Sequence, residues 1–145
     1  MGRTLPRWFV GLIAAPLAIA VAYHEFLAQR SDYLGHYLAG CGGTLLLLVA
    51  AVATFTTDRF ARWAPLTIVG LASIAIAIGG VFEATIYRIA KFDEVDFCNQ
   101  SLGAVIAALG VLFVTVGPKP PLVAWLLAGL LAVAYLAAGY HYAFL

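Results

Sequence analysis

The stretch HEFLAQRSDYLGHYLAG, residues 24–40, holds two histidines, two acidic residues and one arginine between two long apolar runs. The 145-residue chain as a whole is strongly apolar, since 64% of its residues are hydrophobic and only 10% are charged. A soluble domain carries roughly 25% charged residues, so this composition is typical of a membrane protein. The polar stretch therefore predicts a short turn between two membrane-spanning helices.

Five stretches of the chain are long enough to cross a membrane, which takes about 20 mostly apolar residues per helix. They are Trp8–Ala28, Tyr33–Phe55, Leu66–Tyr87, Phe97–Val116 and Leu122–Phe144. Pro65 and the GPKPP run at 117–121 interrupt the helices between spans. The sequence therefore predicts an all-α, polytopic transmembrane helical bundle with five spans, forming a single domain over residues 1–145. Four spans are the alternative, because the fourth stretch is short and begins with polar residues.

Small residues recur within these spans, where they allow neighbouring helices to approach closely. They include Gly40, Gly42, Gly43, Gly79, Gly80, Gly103, Ala107 and Ala108. The two cysteines are too few to define a disulfide framework. Cys41 lies deeper in its span than Cys98, so we expect no disulfide between them.

The basic residues of the loops predict the orientation of the chain. With the N-terminus inside, the cytoplasmic side carries Arg3, Arg7, Arg59, Arg62 and Lys119, and the opposite side carries Arg30, Arg88 and Lys91. The positive-inside rule thus favours a cytoplasmic N-terminus and an extracytoplasmic C-terminus in the cell membrane. The run at 20–22 resembles a signal-peptide cleavage site, but apolar sequence continues beyond it and favours an uncleaved first helix.

The polar residues of successive helix ends are predicted to meet on the outer membrane face. All three histidines and six of the seven acidic residues belong to these ends. His36 and Glu83 fall inside apolar runs, where an ionisable group is costly unless it is paired or faces water. Asp32 and His36 are four residues apart on one helix face, as are Asp96 and Gln100. A carboxylate beside His36 would hold one imidazole tautomer and make the ring a better proton acceptor.

The same residues resemble the VanZ-like membrane proteins over roughly residues 32–104. That family has an Asp-x-x-x-His element opening one helix, which reads Asp32-Tyr-Leu-Gly-His36 here. It also has a Glu and an Arg before an Asp-x-x-x-Asn-x-x-Gly-Ala element. Here Glu83 and Arg88 precede DFCNQSLGA at 96–104.

Two positions depart from the family pattern. Gln100 stands where the family has Asn, with Asn99 displaced by one residue, and the Gln expected one turn after the Glu is absent. The resemblance implies a small polytopic protein of the bacterial cell envelope, in a family whose founding member is associated with reduced sensitivity to glycopeptide antibiotics. It implies one site containing Asp32, His36, Glu83, Arg88 and Asp96, but no particular reaction.

The leading hypothesis is that the protein binds or modifies an envelope lipid or precursor at this site. The predicted catalytic residues are His36, Asp32, Glu83 and Asp96, and the predicted substrate-binding residues are Arg88, Gln100, Asn99 and His141. His36 would act as the base, with Asp32 or Asp96 to orient it. Glu83 would be the partner acid, and Arg88 would clamp an anionic headgroup. No Ser or Cys nucleophile motif stands beside them, so enzymatic activity is left open.

Other interpretations of the same residues stay open. The polar groups can be solvated charges at the membrane surface, or a buried network that locks the helices together. The protein can also be a non-catalytic accessory or assembly subunit, with a membrane-protein partner or as a homo-oligomer. No two histidines are spaced i and i+4, so we expect neither a metal nor a haem cofactor. Membrane lipids are expected contacts, whereas a net charge of +1 without a basic patch argues against nucleic acid.

Overall fold

A computed structural model describes residues 5–27, 29–52, 62–85, 92–116 and 118–144. Within these ranges the chain forms five long helices and no strand. The helices are α1 (Arg7–Phe26), α2 (Ser31–Val52), α3 (Ala64–Thr85), α4 (Glu94–Thr115) and α5 (Leu122–Phe144). Each is long and apolar enough to cross a membrane, so the predicted all-α bundle with five spans is confirmed.

Helix α1 contains one irregular turn. Residues Val10–Ala14 form a π-helical turn between the α-helical segments Arg7–Phe9 and Ala15–Phe26. Pro16 explains this turn, because proline has no N–H to donate and its ring collides with the carbonyl group four residues earlier. A wider turn before the proline relieves that collision while the helix continues.

Four helices begin one to three residues earlier than the apolar runs predict, and the starts of α4 and α3 have a local cause. Helix α4 begins at Glu94 because the Asp93 side chain accepts hydrogen bonds from the backbone N–H groups of Val95 (2.8 Å) and Asp96 (3.3 Å). This is an N-cap, which satisfies amide groups that have no partner inside the helix. Helix α3 begins at Ala64, so Pro65 lies in its first turn, where a missing N–H breaks no helical hydrogen bond.

Helix α2 is the central helix of the bundle. It packs against all four other helices, most extensively against α5 and α4. The contact with α4 is a close backbone approach: a side chain at Gly40 would meet the backbone of Gln100, and one at Gly103 would meet the backbone of Tyr37. The predicted role of small residues is therefore observed at this crossing.

Two tyrosines connect α1 and α2 to α4. The fully buried Tyr37 of α2 donates a hydrogen bond from its hydroxyl to the carbonyl oxygen of Pro16 in α1, at 3.0 Å. Its ring stacks on Tyr23 of α1, with 5.1 Å between the ring centroids. The Tyr23 hydroxyl in turn donates to Oδ1 of Asn99 in α4, at 2.6 Å. The two tyrosine hydroxyls of this junction thus find partners across helices, as burial requires, whereas Nδ2 of Asn99 has no hydrogen-bond partner among the described residues.

We predict that Gly103→Leu destabilises the protein by about 1–3 kcal/mol or more, because the new side chain must push α4 away from α2. Gly70→Leu is the matched control, since a Cβ atom at Gly70 has nothing within 4 Å. The measurement is the apparent melting temperature of each purified variant in detergent. Equal melting temperatures for the two variants would contradict the close approach of α2 and α4.

Candidate functional site

A close contact between the imidazole of His36 on α2 and the carboxyl group of Asp96 on α4 is the centre of the candidate site. Nε2 of His36 lies 3.5 Å from Oδ2 of Asp96, and the two side chains are only 15% and 17% exposed. The sequence left Asp32 and Asp96 open as partners of His36, and the structure selects Asp96. Because the two groups pair with each other, the free-energy cost of holding each of them inside the helical bundle is lower.

The helix crossing explains why these two side chains meet. His36 lies one turn before Gly40 on α2, and Asp96 lies one turn before Gln100 on α4. Gly40 rests against the backbone of Gln100, so the residues one turn earlier are also neighbours. The N-cap at Asp93 adds to this effect, because it includes Asp96 in the first turn of α4.

Glu83 reaches the same place from α3. It is 5% exposed and lies within electrostatic range of Asp96. Gly79, one turn earlier on α3, rests against the side-chain amide of Gln100. Three helices therefore contribute two layers to the site, one with His36, Glu83 and Asp96, and the next with Gly40, Gly79 and Gln100.

Asp32 lies near this cluster but pairs elsewhere. Its carboxylate accepts hydrogen bonds from Nε and Nη2 of Arg30, at 3.4 and 3.3 Å. Both side chains are half exposed, and these hydrogen bonds raise the pKa of the Arg30 guanidinium above its ordinary value. Asp32 is within electrostatic range of Asp96, yet it is Asp96 that lies against His36.

A cavity of about 450 Å³ lies beside the His36–Asp96 pair, between α2, α3 and α5. We call it the lateral groove. It is lined by His36, Ala39, Gly40, Gly43, Thr44, Leu46, Leu47, Ala75, Ile78, Phe82, Gln100, Leu136, Gly139, Tyr140 and Ala143. Helices α3 and α5 flank it and make little contact with each other. The exposed side chains of Ile78, Phe82 and Tyr140 form its edges.

Besides Tyr140 at its edge, the lateral groove has few polar groups. His36 and Gln100 are at one end, and the fully buried Thr44 lies two turns further along α2. The Thr44 hydroxyl has no hydrogen-bond partner among the described residues. Sequence reasoning missed Thr44, although its spacing of eight residues from His36 indicates the same helix face.

The remaining predicted site residues lie apart from the His36–Asp96 pair. Asn99 accepts the hydrogen bond from Tyr23, which is a contact between helices. His141 is exposed and packs edge-on against Tyr142, with ring centroids 5.6 Å apart, outside the groove lining. Arg88 falls outside the residues that the structure describes. Both cysteines are free, Cys41 buried and Cys98 exposed.

This arrangement suits a molecule with a long apolar part and a polar end. Binding sites are commonly apolar cavities with a few polar groups that fix orientation. His36 can donate or accept a proton, Asp96 can hold its imidazole in one orientation, and the Gln100 amide can both donate and accept. Within the described ranges, no group of three or more His, Cys, Asp or Glu side chains is arranged to hold a metal ion.

We predict that His36→Ala and Asp96→Ala are energetically coupled. Either single substitution leaves the other polar group buried without its partner, so the double variant is less destabilised than the sum of the two, by about 0.5–3 kcal/mol. The measurement is a double-mutant cycle of reversible unfolding in detergent. The exposed Arg30–Asp32 pair is the matched control and should show a smaller coupling. Additive effects at His36 and Asp96 would contradict the pair.

Comparisons of the chain with family models, with curated proteins and with solved structures give no match. The resemblance to VanZ-like proteins therefore stays a prediction. The geometry of the His36–Asp96 pair and of the lateral groove is what supports a function.

Proposed function

We propose that this is a multi-pass protein of the bacterial cell membrane that binds an envelope lipid or precursor. The acyl chain of the lipid lies in the lateral groove, and the lipid headgroup lies at His36 and Asp96. One observation supports this most strongly: a groove that is apolar for most of its length ends on His36 and Gln100. A binding site for an amphiphile needs one apolar region and one polar region, and the lateral groove has both.

The length of the groove fits one leaflet of a bilayer. His36 and Leu47 line it from opposite ends and are eleven residues apart on α2, which corresponds to about 16 Å along a helix. The hydrocarbon core of a bilayer is about 30 Å thick, so half of it is about 15 Å. With His36 near the membrane surface, Leu47 lies near the bilayer centre, and an acyl chain can follow the groove over this depth.

The distribution of charge supports the proposed orientation. Five basic residues on the N-terminal side against three on the other favour a cytoplasmic N-terminus. His36 and Asp96 then lie at the outer leaflet, where lipid-linked precursors of the envelope are exposed. The resemblance to VanZ-like proteins points to the same compartment. The proposal assigns binding to this site and no chemical step.

We expect Gly43→Leu to prevent lipid binding, because the new side chain fills the lateral groove. A Cβ atom at Gly43 would meet only Leu136, at 3.9 Å, so the substitution starts without a backbone clash. Gly70→Leu adds the same side chain to α3 at a position with nothing within 4 Å. Native mass spectrometry of the purified variants measures retained lipid. Loss of lipid is expected in Gly43→Leu alone, and equal retention in both variants would refute the groove as the binding site.

The proposed orientation predicts which loops react with a membrane-impermeant maleimide in intact bacterial cells. In a Cys98→Ser background, which leaves only the buried Cys41, Gln29→Cys should be labelled directly. Pro118→Cys should be labelled only after the membrane is permeabilised, since it lies at the other end of the bundle. Both positions are exposed, so each thiol is accessible in its own compartment. The reverse pattern would show that the chain is inserted with its N-terminus outside.

A further inference from the structure

The hydroxyl group of Thr44 is fully buried on α2, and its Oγ1 atom has no hydrogen-bond partner in the described part of the chain. In a helix, a serine or threonine hydroxyl commonly donates to a backbone carbonyl group about one turn earlier. Ser73, Thr85 and Thr115 do so in this protein. A buried hydroxyl without a partner costs free energy, so Thr44 is a position at which a bound molecule can supply the missing hydrogen bond.

The place of Thr44 in the bundle distinguishes it from the other buried polar groups without partners. Within the described ranges, the residues with such atoms are Thr44, Asp96, Asn99, Ser101 and Tyr135. Of these five residues, Thr44 alone lines the lateral groove. Its neighbours in the groove lining include Gly40 and Gly43, which have no side chain to cover it. Thr44 is therefore the one of the five that a molecule in the groove would contact.

The depth of Thr44 determines where its partner can come from. Thr44 lies eight residues beyond His36 on α2, which corresponds to about 12 Å along a helix. With His36 near the membrane surface, Thr44 lies within the hydrocarbon core, where water is not available as a hydrogen-bond partner. A polar group on the molecule that occupies the groove is then the remaining source of that partner.

We propose that Thr44 is a second polar binding point of the lateral groove, which selects amphiphiles with a hydroxyl group part-way along the chain. This inference rests on the lipid-binding function proposed above, because the polar end of the molecule must lie at His36. A hydroxyl group can both donate to and accept from Oγ1 of Thr44. An extended chain with C–C bonds of about 1.5 Å advances about 1.25 Å per carbon, so the hydroxyl belongs about ten carbons from the polar end.

The experiment compares three neutral amphiphiles with the same carbon chain: octadecan-1-ol, octadecane-1,10-diol and octadecane-1,2-diol. Each competes with a photoreactive phospholipid for crosslinking to the full-length protein in detergent. The 1,2-diol is the matched control, because its second hydroxyl lies at the polar end and away from Thr44. We expect the 1,10-diol to halve the crosslinking at about fivefold lower concentration than either of the others, which corresponds to one buried hydrogen bond.

Substitutions at Thr44 separate a binding role from a structural one. Thr44→Val should remove the preference for the 1,10-diol, whereas Thr44→Ser keeps a hydroxyl and should keep the preference. Thr115→Val is the control, since the Thr115 hydroxyl donates within its own helix and lies outside the groove lining. Thr44→Val should also raise the apparent melting temperature of the ligand-free protein, because a methyl group replaces a buried hydroxyl without a partner. A lowered melting temperature would show that the hydroxyl serves the fold and would overturn the inference.

Each other outcome has a defined meaning. Equal competition by the three amphiphiles, or competition by none of them, overturns the selectivity for a hydroxyl along the chain. Groove binding stays intact in that case, provided that Gly43→Leu abolishes the crosslinking of the phospholipid. Crosslinking that Gly43→Leu leaves unchanged overturns the proposed function itself. Equal competition by the two diols overturns the assigned depth, and a preference for the 1,10-diol that persists in Thr44→Val overturns the role of Thr44.

Discussion

The close backbone approach of α2 to α4 is the constraint on which the rest of the site depends. Glycine at positions 40 and 103 leaves no side chain between the two helices, so backbone rests on backbone. His36 and Asp96 lie one turn from this contact, and their atoms are 3.5 Å apart. Even one methyl group at the crossing would separate the helices enough to break such a contact. The contact between His36 and Asp96 is therefore a consequence of the helix packing, and any function of the pair requires that packing.

The lateral groove arises from a different feature of the same bundle. Helices α3 and α5 both pack on α2, but they make little contact with each other, so the face of α2 between them stays uncovered. The small residues at positions 39, 40 and 43 leave space over this face of α2. In the proposed function, the acyl chain of a lipid fills this space and its headgroup lies at the polar end.

The sequence predicted where the helices lie along the chain better than it predicted which residues contact one another. Long apolar runs mark five spans because each span must cover the hydrocarbon core, and this requirement acts within one segment. The start of α4 was predicted three residues late, because hydropathy does not register the hydrogen bonds of the Asp93 cap. The partner of His36 was open between two acids, since Asp32 lies four residues away on the same helix and Asp96 lies on the same predicted membrane face. The preference of Asp32 for Arg30 depends on local geometry before the first turn of α2.

Other features of the site were out of reach of the sequence for a physical reason. His141 lies near the predicted end of its helix, but the rotation of α5 puts it on the exposed face, and that rotation is decided by packing against α2. The groove exists because α3 and α5 make little contact with each other. The spacing of residues along the sequence does not show which helices fail to pack together. Thr44 is identified as a residue of the groove only from the structure.

The most direct test of the central claim is to map where a bound lipid lies along α2. A phospholipid with a photoreactive diazirine at the end of its acyl chain can be crosslinked to the purified protein, and the adducts located by peptide mass spectrometry. The account predicts adducts concentrated around Leu46, Leu47 and Ala75, which line the deep part of the lateral groove. Adducts spread evenly over exposed faces outside the groove, such as those of Val69 and Leu130, would contradict it.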